Sequence, residues 1–192
     1  MNLQTARDFI LEELKTELPS SYAFHGYERT LQVLKDTRLL LGAEKITGEK
    51  ADMAETAALF VDAGYLKGYE DAPENAVNIL RNQLPAMGYS LRQILLISGM
   101  VIATRPPQVP QNHLEKIVCD ASTGFMGKPG YHQQVKKLRF ELEVRGKIIT
   151  DHEWQRYQFN LLNNHRFFTA TARKLWEDEK QKVIGQLKPH YA

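Results

Sequence analysis

The stretch Ala57 to Asp71, AALFVDAGYLKGYED, constrains this chain more than any other. It opens as an apolar helix, reaches Asp62 and breaks at Gly64. Ala57, Ala58, Leu59, Phe60 and Val61 all favour a core, so an ionised Asp62 at their end needs a cation or a set of hydrogen-bond donors. Two other stretches place polar groups in the same kind of position. Tyr22-Ala23-Phe24-His25-Gly26-Tyr27-Glu28-Arg29 opens one helix, and Ile117-Val118-Cys119-Asp120 closes another. The expectation is a helical bundle with Arg29, Asp62 and Asp120 meeting at its centre.

Every other long segment also reads as helix. Thr5 caps a first helix through Leu18, with Phe9, Ile10, Leu14 and Leu18 on one face. A second runs from Tyr27 to Leu41 and stops at Gly42, with Leu31, Leu34, Arg38 and Leu41 at helical spacing. A third starts near Asp52 and carries the central stretch. Asp71 and Pro73 open a fourth, Glu74 to Met87. Ser90 and Gln93 form a capping-box pattern for a fifth through Ala103, apolar nearly all round and expected to be the most buried. Pro106, Pro107 and Pro110 require an extended loop before a sixth helix from Asn112 to about Cys119. Ser122 to Gly130 should be irregular.

A seventh helix carries Val135, Leu138, Leu142 and Val144, and Gly146 breaks it. Thr150 with Glu153 is a second capping box. It starts a long C-terminal helix with Trp154, Tyr157, Leu161, His165 and Phe168 along one face and a solvated, highly charged end from Lys174 to Lys188. Ile148-Ile149 is too short for a strand. The fold class is therefore all-α.

The 192 residues, 43% hydrophobic and 25% charged, suffice for one domain with a full core. A net charge of +2 argues against a nucleic-acid stripe or a polybasic membrane patch. No apolar run approaches the roughly 20 residues of a membrane span. The start MNLQTARDFI puts an Arg and an Asp where a signal peptide needs an apolar stretch. Cys119, the single cysteine, forms no intramolecular disulfide. A soluble cytoplasmic protein is the expectation.

The order of these landmarks resembles the HD superfamily of metal-dependent phosphohydrolases, and more closely its small bacterial group of predicted hydrolases. The stretches FHGYERTLQV, AALFVDAGYLKGYED, VIATRPPQVPQNHLEKIVCDA and KIITDHEWQRYQFNLLNNHRFFTATARKL carry the resemblance. It implies an HD-domain-like bundle: residues 1–21 as an N-terminal helix on the core, 22–130 as the core, and 131–192 as a C-terminal helical extension of the same domain. It also implies a divalent metal held by His, His-Asp and Asp, which turns bound water into a nucleophile against phosphorus.

Carried over residue by residue, this metal set is broken. Arg29 stands at the first His position and Val61 at the His of the pair. Asp62 and Asp120 remain. Ser122 stands at the family's second acid, and Ala72-Pro73 at a further His-Glu. Two carboxylates alone hold a transition metal poorly, and a guanidinium beside them stays charged. The expectation is that Arg29 replaces the ion and bridges Asp62 and Asp120. No cofactor is expected; an oxygen-rich remnant would suit Mg²⁺ or Mn²⁺ if it held any metal.

His25 falls where related phosphodiesterase-type sites carry a His that protonates a leaving oxygen, which makes it the catalytic candidate; without a metal-activated water such an acid has little to do, and a pocket-lining or hydrogen-bonded His is the preferred reading. Arg29, Lys67 and Arg105 are candidate cations for a ligand; Lys67 reads equally as a solvated loop residue. Glu70 and Asp71 could touch a divalent ion, and Asp71 reads more simply as a helix cap. Cys119 reads as a small buried residue. His113, His132, His152, His165 and His190 show no ligand spacing. Trp154, Tyr157, Phe159, Phe167 and Phe168 read as core or as a dimer face.

Three readings follow: a non-catalytic HD-fold module for a small phosphate-bearing, nucleotide-like ligand or a protein partner; a phosphohydrolase working through a rearranged site; and a structural protein, with a homodimer through the C-terminal aromatic face. None involves nucleic acid or a membrane.

Overall fold

The structure, a computed structural model, describes residues 1–147 and 150–187. Ile148-Ile149, His190 and the last residue of the Lys174–Lys188 stretch lie outside the described residues. The described residues form nine α-helices and no strand. They are α1 (Leu3–Thr16), α2 (Tyr27–Ala43), α3 (Glu49–Phe60), α4 (Ala72–Gln83), α5 (Leu91–Ala103), α6 (His113–Thr123), α7 (Tyr131–Val144), α8 (Asp151–Asn164) and α9 (Ala170–Leu187). Short 3₁₀ turns follow α3, α4 and α6 at Ala63–Leu66, Leu84–Met87 and Gly124–Gly127. None of these helices is long and apolar enough to cross a membrane.

The central helix is α3, which touches α1, α2, α5 and α6. Ala54, Ala57, Ala58, Leu59 and Phe60 have no exposed surface. Three alanines among these five let neighbouring backbones approach closely, and Leu59 and Phe60 fill the space beside them. The expectation that α5 would be the most buried helix is corrected. Leu91 is 74% exposed and Leu95 53% exposed. Only one side of α5, with Ile94, Ile97 and Val101, joins the core, because α5 packs on α3, α4 and α6 from outside.

Both capping boxes are present, at Ser90 with Gln93 and at Thr150 with Glu153. Other ends differ from expectation. Asn2, not Thr5, caps α1, its side chain accepting from the Thr5 amide at 3.1 Å. Gly42 lies inside α2, which ends at Ala43, and its inward face is Val33, Leu34, Leu40 and Leu41. Arg38 instead faces outward and pairs with Glu55. Asp71 precedes α4 in a left-handed conformation (φ 53°), and its side chain makes no capping hydrogen bond.

The helix expected to run from Thr150 past Phe168 is two helices. It stops at Asn164, and a bent link at 165–169 leads into α9. The link exists because Asp120 on α6 accepts the amides of Phe168 at 2.7 Å and Thr169 at 2.8 Å. Those amides are withdrawn from any continuous helical ladder. Thr169 then accepts the Ala172 amide at 3.1 Å in the first turn of α9. The long C-terminal helix is thus α9. Up to Leu187 its charged sequence is solvated on one face only: Trp176, Lys180, Val183 and Leu187 are buried. Lys180 is accommodated because its ammonium reaches Glu177 and the His165 carbonyl, both at 2.9 Å.

Two glycines mark where backbones touch. A Cβ on Gly64 would lie 1.7 Å from the Ala72 carbonyl oxygen, and one on Gly127 would lie 2.3 Å from the Trp176 carbonyl oxygen. The first contact sets the turn after Asp62 against the start of α4. Gly64→Ala should therefore destabilise the protein by about 3 kcal/mol or more, since backbone must move to admit one methyl. Urea unfolding would measure this; a midpoint equal to that of the wild type would show that the approach is not tight.

Candidate functional site

Asp62 lies two residues beyond the end of α3 and lines a cavity of about 610 Å³. It is 1% exposed. Arg29 comes from the first turns of α2, and its Nη1 donates to Asp62 Oδ1. Its Nη2 donates to the Ser122 carbonyl on α6 at 2.9 Å. The Gly26 amide donates to the other Asp62 oxygen at 3.2 Å. The mutual packing of α2, α3 and α6 brings these groups together. Both oxygens of the buried carboxylate are thereby satisfied, one by a cation and one by a backbone donor.

The expected bridge from Arg29 to Asp120 is not formed. Asp120 is fully buried, but both of its oxygens face the 165–169 link. Burial pushes its carboxyl above the usual range, opposed by the two amides, the Thr169 side chain and Arg173. Asp62 and Asp120 therefore serve different partners. One closes the contact of α2 with α3; the other shapes the chain before α9.

These residues do not fit a divalent metal. Val61 supplies no donor, Arg29 places a permanent charge on Asp62, and the oxygens of Asp120 are taken by backbone amides. Among the described residues, no group of three or more His, Cys, Asp or Glu is placed to hold an ion.

His25 lines the same cavity, with its ring stacked on Tyr65 at 4.0 Å and 22°. Its Nδ1 donates to Glu141 Oε1 at 2.5 Å. Glu141, on α7, is fully buried, and its other oxygen accepts the amides of Phe24 at 2.9 Å and His25 at 3.0 Å. Burial lowers the His25 imidazole from 6.5 despite this partner. Burial pushes Glu141 up, but the hydrogen bonds from His25 and the two amides outweigh it and leave the carboxyl below its ordinary value. The pair is thus a neutral imidazole on an ionised carboxylate, with Nε2 left for a ligand. Glu141 is absent from the sequence-based site. Its signal was its place one residue before Leu142 and three after Leu138, on the apolar side of its helix.

The other candidates divide. Arg105 lines the cavity and pairs with Glu74. Lys67 is exposed and lies away from the cavity, as do Glu70 and Asp71. Cys119 is buried, donates to the Ala103 carbonyl at 3.1 Å and has its thiol pushed up by burial, so it is no nucleophile. His165 lines the cavity, unlike His113, His132 and His152. Of the C-terminal aromatic residues, Tyr157 and Phe168 line the cavity, whereas Trp154 and Phe167 are core. Arg166, also on the wall, was not among the expected cations.

This is an all-α bundle of the HD-domain kind, with an arginine–carboxylate pair at its centre. Its backbone is similar to that of a predicted HD superfamily hydrolase from an uncultured Thermotogales bacterium. The TM-score is 0.66 at 19% identity, covering 97% of this chain and 89% of the other. A protein from Lactobacillus plantarum is similar at a TM-score of 0.68 and 18% identity, covering 98% and 96%. No family model matches the sequence, and no curated protein matches it. At these identities the likeness establishes the shared fold.

Two predictions follow from the site. Arg29→Met leaves Asp62 buried without its cation and should cost about 3–5 kcal/mol, part of which Arg29→Met with Asp62→Asn should recover. Chemical denaturation of the three variants checks this; equal losses in the single and double variants would contradict it. The second concerns His165, whose imidazole is lowered from 6.5 to about 4 by burial and by Lys180. It stays neutral in the fold while the unfolded chain takes up a proton near 6.5. Its contribution is complete above pH 6.5 and is lost as pH falls toward 4, on the order of 3 kcal/mol. His165→Gln should flatten that part of the stability–pH curve; an unchanged slope would refute the assignment.

Proposed function

We propose that this chain is a non-catalytic HD-fold module that binds a small phosphate-bearing, nucleotide-like ligand in the cavity above Asp62. The observation that carries the reading is the pairing of Arg29 with Asp62, which puts an immovable positive charge where metal-activated water would need an ion. The walls support the ligand class. Phe24, Tyr65, Tyr69, Phe125, Tyr157 and Phe168 offer flat apolar surface for a ring, and His25 offers a polar handle. Arg29 is paired with Asp62 and Arg105 with Glu74, which leaves Arg166 on the wall as the cation open to an anionic group.

One observation favours a second reading. His25, oriented by Glu141, has the arrangement of a general acid–base pair. A phosphohydrolase using a rearranged site would place the leaving oxygen at Nε2.

Thermal unfolding with nucleoside monophosphates, the matching nucleosides and inorganic phosphate, with phosphate release followed in the same samples, separates the readings. At about ten times its Kd, a monophosphate should raise Tm by about 3–5 °C without phosphate release. Release that His25→Ala abolishes would establish the second reading. No shift with any phosphate ester would remove the first.

A further inference from the structure

We infer that Arg166 is the residue that anchors the anionic end of the ligand, presented by a link that the rest of the protein holds rigid. The inference rests on the ligand-binding reading above and adds the residue that determines its charge preference.

Among the described cavity cations, Arg166 is the one with no acidic or carbonyl partner. Arg29 is spent on Asp62 and the Ser122 carbonyl. Arg105 is paired with Glu74. The two cavity histidines supply no fixed charge: each has one ring nitrogen engaged, His25 Nδ1 with Glu141 and His165 Nε2 with the Thr123 hydroxyl at 2.9 Å, and burial lowers both imidazoles. Arg166 is exposed, with its guanidinium carbon 5.4 Å from the centre of the Phe168 ring. A planar guanidinium on an aromatic face keeps its N–H edge free for an anion.

The backbone around it is pinned from both sides. Asp120 on α6 takes the amides of Phe168 and Thr169 at 2.7 and 2.8 Å. Arg173 on α9 donates to the carbonyls of Phe167 at 3.0 Å and Phe168 at 2.9 Å. Lys180, also on α9, donates to the His165 carbonyl at 2.9 Å. Two buried charges, Asp120 and Lys180, and the exposed Arg173 thus act on the five-residue link. A short connection between two helices does not need so many ionic clamps to be covered from water. What they do achieve is to fix the backbone that carries Arg166 and Phe168 before a ligand arrives, so binding orders one side chain rather than a loop. Arg166 then offers paired N–H donors to phosphate oxygens at the cavity wall, while Phe168 against it and Tyr157 elsewhere on the lining offer apolar surface to the rest of the ligand.

The test uses the full chain and adenosine 5′-monophosphate as probe, with adenosine as the uncharged control, measured by titration calorimetry and thermal shift. Arg166→Ala should weaken the monophosphate roughly 10- to 100-fold and leave adenosine within about twofold. Arg166→Lys should recover part of the loss. Lys67→Ala, outside the cavity, should change neither. Because Arg166 is exposed, the ligand-free Tm of both Arg166 variants should match the wild type. A monophosphate affinity within twofold of wild type in Arg166→Ala would overturn the anchor while leaving the binding reading in place. A wild type that binds no phosphate ester, inorganic phosphate included, would overturn both. Loss of monophosphate and adenosine alike, in Ala and Lys variants both, would assign Arg166 to cavity shape and overturn its ionic role.

Discussion

A carboxylate buried at the end of an apolar helix must be neutralised, and the pairing of Asp62 with Arg29 is how this protein does so. The rest of the bundle is arranged around that requirement. Arg29 reaches Asp62 only because α2 lies against α3, and its second donor reaches Ser122 only because α6 completes the group. Gly26 brings its amide to the remaining oxygen at φ 146°, a backbone conformation that favours glycine. A metal ion would tie the same three helices together by coordination. Here a fork of N–H groups does it, and the centre becomes a structural joint with a cavity above it.

The second acid is likewise a structural joint. Asp120 is buried as deeply as a ligand to an ion would be, yet it holds the amides of the link into α9. A carboxylate in apolar surroundings will take whatever donors geometry offers, and two adjacent backbone N–H groups are a good match for its two oxygens. Asp120 therefore links the cavity to α9, whose buried Lys180 and whose Arg173 hold the same segment from the other end.

How far all of this was legible varies with the kind of signal. The apolar run before Asp62, the two capping boxes and the proline-rich break are local patterns, and each appears where the residues place it. That Arg29 supplies the cation for Asp62 was also readable, from the charge demand and from the resemblance. Its failure to reach Asp120 was not, because two carboxylates in sequence carry no record of which donors face them. The break after Asn164 was hidden for the same reason: its cause is a side chain 44 or more residues earlier in the chain, on α6. Glu141 and Arg166 were missed because one looks like an ordinary helical acid and the other like an ordinary surface arginine until their neighbours are known.

The sequence by itself determined an all-α fold, the helix carrying the core and the cation demand of Asp62 at its end, since these depend on periodicity, capping and residue identity. The tertiary structure alone decided which acid meets which donor, that α5 is a cover rather than a core helix, and that the C-terminal run folds as two helices around a pinned link. Those outcomes depend on where side chains distant in sequence converge, and hydrogen bonds and ion pairs act only over a few ångströms, so no local pattern encodes them.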